Sequence, residues 1–287
     1  SIISIVRAFA SPTNLTSVSY VVSFSESVTG VGAADFVLDV SGLSGASITS
    51  VTGSGSSYGV VVNTGTGDGT VAVDLDDDDS IVDAAGNVFG GVGENDYTSG
   101  QTYVVDKTVP SVVSIVRADS NPTNASSVDF TVTFSESVTG VGADDFVLDA
   151  SGVTSPSITS VSGSGSTYTV SVDTGSGSGS VSIDLDDDDS ITDGVNVLGG
   201  SGANDYMAGE VYTVDKTNPS VVSIVRADSN PTSAASVDFT VTFSEPVTGV
   251  GTDDFDLDVS GVTAASIVSV SGNGVTYTVN VNTGSGD

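Results

Sequence analysis

The chain has 287 residues, of which 37 are acidic and five are basic, so its formal net charge is −32. This charge excludes ordinary nucleic-acid binding, which needs a basic surface, and it argues against an anionic membrane as a partner. Cys, His and Trp are absent, which removes the usual ligands of zinc, haem and iron–sulfur sites and the Ser–His and Cys–His pairs of hydrolases. We therefore expect no enzyme, and the sequence contains no apolar run that predicts membrane insertion.

The sequence consists of three copies of one repeat. The segment SIISIVRA at residues 1–8 recurs as SVVSIVRA at 111–118 and 220–227, and a VSFSE or VTFSE strand followed by VTGVG recurs in the same order. The period is 110 and then 109 residues. Self-similarity at a fixed period is the signature of a tandem array. We predict three modules, which span residues 1–109, 110–218 and 219–287, the third without its last two strands.

Each module is predicted to be all-β. The apolar residues are mainly Val and Ile, which fit pleated strands better than helices, and no helical spacing of apolar residues is sustained. Alternation and turn residues predict seven antiparallel strands in the second copy, at residues 111–118, 127–135, 145–150, 157–163, 166–173, 180–185 and 210–215. Seven short strands indicate an immunoglobulin-like Greek-key β-sandwich. The linkers end in Pro110 and Pro219, which hold the preceding residue extended and predict short, stiff joints.

The order of these motifs resembles that of one known family. A DKTxP linker, an apolar first strand, a VTFSE strand, VTG, an acidic pair before Phe, and an acidic loop follow one another in this order. The pattern resembles the bacterial Ig-like (BIg-type) tandem repeats of large calcium-binding surface adhesins, and the resemblance covers the whole chain. It implies a calcium-stiffened stalk at the cell surface. Extracellular calcium modules bind the ion with dissociation constants of about 10⁻⁴–10⁻³ M, which suits an extracellular location.

Strand direction predicts where the acidic residues of the second copy meet. If its first strand runs away from the linker, the second strand returns Glu136 to the linker end, and the third begins there with Asp144 and Asp145. The sixth strand then leads into the acidic loop at residues 186–193, and Asp106 of the linker lies at the same end. Carboxylates this close raise one another's pKa unless a cation neutralises them, and Lys and Arg are scarce. The arrangement therefore predicts bound calcium, which takes about six to eight oxygen ligands.

The candidate calcium ligands lie in the acidic loops and around the linkers. Asp76, Asp78 and Ser80 place oxygens at alternate positions, a spacing that resembles the start of an EF-hand loop without the Gly and Glu that complete one. The alternatives are a solvated charge run for the loops and capping of turn amides for the linker group. The predicted ligands are Glu26, Asp35, Asp74, Asp76, Asp78, Asp83, Asp106, Glu136, Asp144, Asp145, Asp184, Asp186, Asp188, Asp193, Asp215, Glu245 and Asp254.

The near identity of the copies favours length and mechanics over one unique binding site. We predict an extracellular spacer or adhesin stalk, stiffened by calcium at its joints. Its expected partners are neighbouring modules of the same or an identical chain and a surface or matrix ligand at a tip. One alternative is a subunit of a self-assembling extracellular filament or sheath, in which a neighbour donates the strands missing from the third copy. Another is an accessory binding region of a secreted enzyme. The chain is expected to be a fragment of a longer protein.

Overall fold

The protein is described by a computed structural model over residues 1–93 and 95–286. Within these residues it forms β-strands in antiparallel sheets, and its helical segments are 3-10 turns of three residues each. No helix in these ranges is long and apolar enough to cross a membrane. The all-β prediction is therefore confirmed. The chain divides into two compact units, Ser1–Asp215 (unit 1) and Lys216–Asp287 (unit 2).

The first repeat in unit 1 contains seven strands in two sheets. The strands are β1 Ile2–Arg7, β2 Ser17–Thr29, β3 Phe36–Ser41, β4 Ser47–Asn63, β5 Gly69–Leu75, β6 Val82–Asp83 and β7 Tyr103–Val105. One sheet has the order β1-β2-β4 with β6 beside β2, and the other has the order β3-β5-β7. Strand β2 buries Val18, Tyr20, Val22 and Phe24, because every second side chain of a strand points to the same face.

The second repeat has the same two sheets, with an isolated bridge between Thr139 and Thr192 in the place of β6. Its strands are β8 Val112–Arg117, β9 Ser127–Val138, β10 Phe146–Ser151, β11 Ser157–Asp173, β12 Gly179–Leu185 and β13 Tyr212–Val214. Its sheets have the orders β8-β9-β11 and β10-β12-β13. One core joins Phe130 and Val132 of the first sheet with Val181 and Ile183 of the second, and a separate core serves the first repeat. Both repeats are thus β-sandwich-like, while the immunoglobulin-like Greek-key topology stays a prediction.

Strand β11 folds back on itself, and β4 does the same. The hydroxyl of Thr159 donates a hydrogen bond to the carbonyl of Ser171 at 3.0 Å. A Cβ built on Gly163 would lie 2.5 Å from the carbonyl oxygen of Thr167. Both contacts are centred on Gly165, whose φ of 68° favours glycine. The two strands predicted in this region are therefore the two arms of one continuous β-segment, with the predicted turn between them.

Unit 2 consists of one sheet, in the order β14-β15-β16, formed by Val221–Arg226, Ser236–Val247 and Ser266–Asn282. Residues 255–260 correspond to β10 but form no strand, and the described residues of unit 2 contain no counterpart of its partner β12. One face of the sheet is therefore uncovered. Ile224 is 55% exposed, whereas its counterpart Ile115 in the second repeat is 1% exposed.

Candidate metal centre

Three carboxylates from distant parts of the sequence meet beside the first linker. Asp106 follows β7, Glu136 lies near the end of β9, and Asp193 ends the acidic loop after β12. Each contributes one carboxylate oxygen, and these three oxygens lie within 4.8 Å of one another. All three residues are half-buried. Over residues 1–93 and 95–286 this triad is the one group of three or more acidic residues with that spacing.

Hydrogen bonds to the first repeat hold the linker in place. The amide of Asp106 donates to the carbonyl of Thr13 at 3.0 Å. The ammonium group of Lys107 donates to the hydroxyl of Thr64 at 2.8 Å and to the carbonyl of Gly65. The positive charge of Lys107 is thus directed into the first repeat, and the position of Asp106 is fixed relative to that repeat.

The second repeat binds the other side of the linker through Asn196. The side-chain amide of Asn196, which is buried, donates to the carbonyls of Thr108 at 2.8 Å and Asp106 at 3.3 Å. Its side-chain oxygen accepts a hydrogen bond from Asn14 of the first repeat at 3.0 Å. One asparagine therefore contacts both the linker and the preceding repeat.

The backbone of the same loop orients the third carboxylate of the triad. Asp193 accepts hydrogen bonds from the amides of Val195 at 2.6 Å and Asn196 at 2.7 Å. Local bonds of this kind fix a short acidic side chain in a turn. The loop therefore presents Asp193 to the linker with little remaining freedom.

The triad carries negative charge that the protein itself neutralises poorly. Burial raises the pKa of Asp106 and of Glu136 above their ordinary values, and the nearby charge of Asp193 raises both further. The Oε1 atom of Glu136 is inaccessible to solvent and has no hydrogen-bond partner. An arrangement that leaves a carboxylate oxygen buried and unpaired is costly unless something else binds it.

The donor set fits a hard divalent cation. Each of Asp106, Glu136 and Asp193 offers oxygen, and calcium and magnesium prefer oxygen ligands from carboxylates, backbone carbonyls and water. Softer transition metals would be expected to recruit the nitrogen or sulfur of His or Cys, which the chain does not contain. Three protein carboxylates would leave further coordination positions for carbonyl oxygens or water.

Several other predicted ligands cap a tight turn. The carboxylates that precede β3 and β10, and their counterpart in unit 2, each accept a hydrogen bond from the glycine amide three residues earlier. The pairs are Asp35 with Gly32 at 2.6 Å, Asp145 with Gly142 at 2.6 Å, and Asp254 with Gly251 at 2.7 Å. Asp145, which the sequence grouped with Asp106 and Glu136, therefore has the alternative role of an amide cap, while its neighbour Asp144 is exposed.

The predicted ligands at alternate positions of the acidic loops point to solvent. These are Asp76, Asp78, Asp186 and Asp188, all exposed. Hydrogen bonds from the hydroxyl and amide of Ser80 lower the pKa of Asp78, and Ser190 does the same for Asp188. Asp74 and Asp184 lie within β5 and β12, where burial raises their pKa, and Asp39 and Asp149 add repulsion. The structure does not bring these six carboxylates to the triad.

The remaining predicted ligands occupy equivalent positions in the other repeats. Glu26 and Asp83 line one hollow at the end of the first repeat, and hydrogen bonds from the side chain and amide of Asn87 lower the pKa of Asp83. Asp215 accepts a hydrogen bond from the hydroxyl of Ser178 at 3.1 Å. In unit 2, the Oε1 atom of Glu245 is buried without a hydrogen-bond partner, like that of Glu136.

Sequence reasoning missed the buried acidic residues of the loops. Asp77 and Asp187 are inward-facing, while their neighbours on both sides are exposed. The signal was present in the alternation of β5, because Val71, Val73 and Leu75 are buried and the next position in that series is residue 77.

A scan against protein-family models and a search of curated proteins give no match to this chain.

In calcium-free solution the joint is expected to be more stable at about pH 5 than at pH 7. The raised pKa of Asp106 and Glu136 means that the folded joint binds more protons than the unfolded chain. Stability is therefore lost as pH rises from the ordinary values of 3.8 and 4.5 through the raised values. The measurement is the difference in melting temperature between the wild type and Glu136→Gln in a chelator, taken across this pH range.

The comparison with Glu136→Gln is needed because other carboxylates have the opposite effect. The pKa of Asp68 is lowered mainly by a hydrogen bond from the Thr108 hydroxyl, so its contribution is lost on acidification. Such contributions are shared by both proteins and cancel in the difference. At pH 7 in chelator we expect Glu136→Gln to melt above the wild type, and we expect this difference in melting temperature to shrink as pH falls. A difference that is constant with pH would contradict this explanation.

Proposed function

We propose that the protein is an extracellular structural spacer or adhesin stalk, made of tandem immunoglobulin-like β-sandwich modules and stiffened by calcium. The observation that carries the proposal is that the three residues of the triad come from two different segments, the linker and the following repeat. Asp106 comes from the linker, whereas Glu136 and Asp193 come from the following repeat. A cation bound by all three would connect the linker to that repeat. The proposed role of calcium is to remove the freedom of the joint.

The balance of forces at the joint depends on the cation. Two unit charges about 4 Å apart repel by roughly 4 kcal/mol at an effective dielectric constant of about 20, before salt screening. This repulsion opposes the hydrogen bonds from Asn196 to the linker. A bound divalent ion converts the repulsion into attraction between the same groups. We therefore expect a stiff joint in calcium and a looser one without it.

An extracellular location is part of the proposal for a physical reason. A site with three protein carboxylates and an otherwise open coordination sphere suits the weak calcium binding of extracellular modules, with dissociation constants of about 10⁻⁴–10⁻³ M. Calcium outside cells reaches this range, so the joint would be filled there. The net charge of −32 would also keep such an array soluble and apart from its neighbours.

The test measures a distance across the joint with and without calcium. Because the chain has no Cys, cysteines introduced at the exposed positions Ser57 and Ser151 provide two unique spin-label sites, one in each repeat. We expect a narrow distance distribution in millimolar calcium and a broad one in chelator. In Glu136→Gln the distribution should stay broad at calcium concentrations that narrow the wild type.

The matched control is Glu26→Gln, which makes the same change at the equivalent position of the first repeat. It removes one charge from the hollow that also contains Asp83 and leaves the triad intact. The distance distribution of the control should therefore narrow with calcium, as that of the wild type does. Equal responses of both variants, or a distribution that does not depend on calcium, would overturn the proposed role of the triad.

A filament subunit is the second candidate, and an apolar hollow on unit 2 is the surface on which its assembly would depend. Ile224, Phe239, Phe255 and Leu257 line an apolar hollow there, where β12 closes the equivalent face of the second repeat. An added strand is a known way to complete such a sheet. Scattering from the same samples reports molecular mass, so a mass that increases with protein concentration would favour the filament over the monomeric stalk.

A further inference from the structure

The amides of the linker between the first two repeats are bound by the first repeat. The amide of Asp106 donates to the carbonyl of Thr13 at 3.0 Å. The amide of Thr108 donates to Oδ1 of Asp68 at 3.2 Å, and the hydroxyl of Thr108 donates to the other oxygen of the same carboxylate. The first repeat therefore holds one side of the linker backbone.

The carbonyls of the same linker are bound by the second repeat. The side-chain amide of Asn196 donates to the carbonyl of Thr108 at 2.8 Å and to that of Asp106 at 3.3 Å. The backbone amide of Gly199 donates to the carbonyl of Pro110 at 2.8 Å. The linker thus lies between the repeats in the manner of a strand shared by two neighbours, with its amides bound on one side and its carbonyls on the other.

The side chain of Asn196 projects from a backbone that its own loop holds in place. The amide of Asn196 donates to Oδ1 of Asp193 at 2.7 Å, and its carbonyl accepts from the hydroxyl of Thr192 at 2.8 Å. Its side-chain nitrogen also donates to Oδ2 of Asp193 at 3.1 Å. Little freedom is left for this side chain, which is 7% exposed.

The first repeat contacts this asparagine directly through Asn14. The side-chain nitrogen of Asn14 donates to Oδ1 of Asn196 at 3.0 Å and to the carbonyl of Val195 at 3.2 Å. Both ends of the Asn196 amide are therefore paired, and the partners belong to the linker, the loop and the preceding repeat. Another orientation of the two repeats would leave this buried amide unpaired, which is costly. A single buried Asn fixes the register of coiled coils in the same way.

The first repeat provides an internal comparison for this asparagine. Its acidic loop ends in Asp83 and Asn87, and the amide of Asn87 donates to Oδ1 of Asp83 at 2.9 Å while its side chain donates to Oδ2 at 2.7 Å. These are the bonds that join Asn196 to Asp193. Asn87 is nevertheless exposed. The loop alone does not bury the asparagine, so the burial of Asn196 comes from the linker and the preceding repeat.

We infer that Asn196 is a positioning residue that sets the orientation of the second repeat relative to the first by binding the backbone carbonyls of the linker, and that it does so without a cation. The inference rests on the proposed role of the joint as a stiff connection, but not on calcium, because its contacts are hydrogen bonds within the protein. The triad then determines how tightly the joint is held, and Asn196 determines which orientation is held.

The test measures the mean distance between spin labels at positions 57 and 151 of the full chain. In Asn196→Ala the linker carbonyls lose their donor, and we expect the mean distance in calcium to shift by more than the width of the wild-type distribution. Asn87→Ala makes the same truncation at the exposed counterpart and should keep the wild-type mean. A wild-type mean distance for Asn196→Ala, both in calcium and in chelator, would overturn the inference.

A second pair of labels shows whether the second repeat keeps its fold in this variant. Ser151 and Ser164 are both exposed in that repeat, and the distance between labels there should not change in Asn196→Ala. If it does change, Asn14→Ala decides, because this substitution removes the contact from outside the second repeat. A shifted mean distance across the joint in Asn14→Ala supports the inference, and an unchanged one overturns it.

The calcium proposal and this one fail independently. If calcium does not narrow the wild-type distribution, the role of the triad fails, while a shift of the mean in Asn196→Ala in chelator still supports the positioning role. Glu136→Gln keeps the contacts of Asn196 and should keep the wild-type mean distance in chelator. If it shifts the mean as far as Asn196→Ala does, the carboxylates set the orientation and the positioning role of Asn196 is wrong.

Discussion

Removal of calcium is expected to lower the melting temperature of unit 1 by roughly 3–6 °C. A ligand at about ten times its dissociation constant stabilises the folded state by about 1.4 kcal/mol per site. The joint would contribute about this amount, and each kcal/mol shifts the melting temperature of a domain of this size by about 2–4 °C. Calorimetry of the full chain in about 5 mM calcium and in chelator measures the shift.

The same samples should change shape in solution. Small-angle scattering is expected to show a shorter and more variable particle in chelator, because the triad of Asp106, Glu136 and Asp193 repels itself when no ion is bound. Magnesium at equal concentration is the control for ionic strength, since it demands smaller and more regular octahedral coordination. If neither the melting temperature nor the scattering changes on chelation, the acidic residues serve solvation, and the filament becomes the better explanation.

The sequence was sufficient to predict strands because alternation and repetition supported each other. Val128, Phe130 and Val132 alternate with polar residues in β9 and are all buried. The absence of a strand at residues 255–260 could not be predicted from local propensity. These residues resemble β10 closely, yet a strand needs a neighbour to satisfy its backbone hydrogen bonds. In the second repeat this neighbour is β12, which lies further along the sequence.

The joint was predicted in part, since strand direction places whole segments but not individual side chains. It placed Asp106, Glu136 and the acidic loop that ends at Asp193 at one end of the second repeat, and the structure brings these three carboxylates together. It could not show that Asp145 turns back to cap the amide of Gly142. The prediction also chose the exposed Asp78 and not the buried Asp77. A run of four acidic residues has no alternation of its own, so its buried position is found only by extending the alternation of β5 into the loop.

Phe130→Ala is expected to destabilise the second repeat by about 3–5 kcal/mol. Phe130 is fully buried, and its ring lies 5.0 Å from that of Tyr212 in an edge-to-face arrangement. Its removal leaves a cavity between the two sheets that close packing cannot fill. Native-state hydrogen exchange read by mass spectrometry gives the free energy of opening for β9 directly. Peptides of the first repeat should keep their protection better, since a separate core serves them.

The matched substitution is Phe239→Ala, which truncates the equivalent side chain of β15 in unit 2. Phe239 is only half-buried and lines the uncovered hollow, so its replacement removes less packing and should cost clearly less than Phe130→Ala. The comparison also bears on function. If both substitutions cost the same, something covers the open face of unit 2 in solution, because only a completed second layer would bury Phe239 as deeply as Phe130. Scattering from the same two variants gives their molecular mass: a mass that rises with protein concentration would favour the filament subunit, whereas a smaller loss in a monomer fits the stalk.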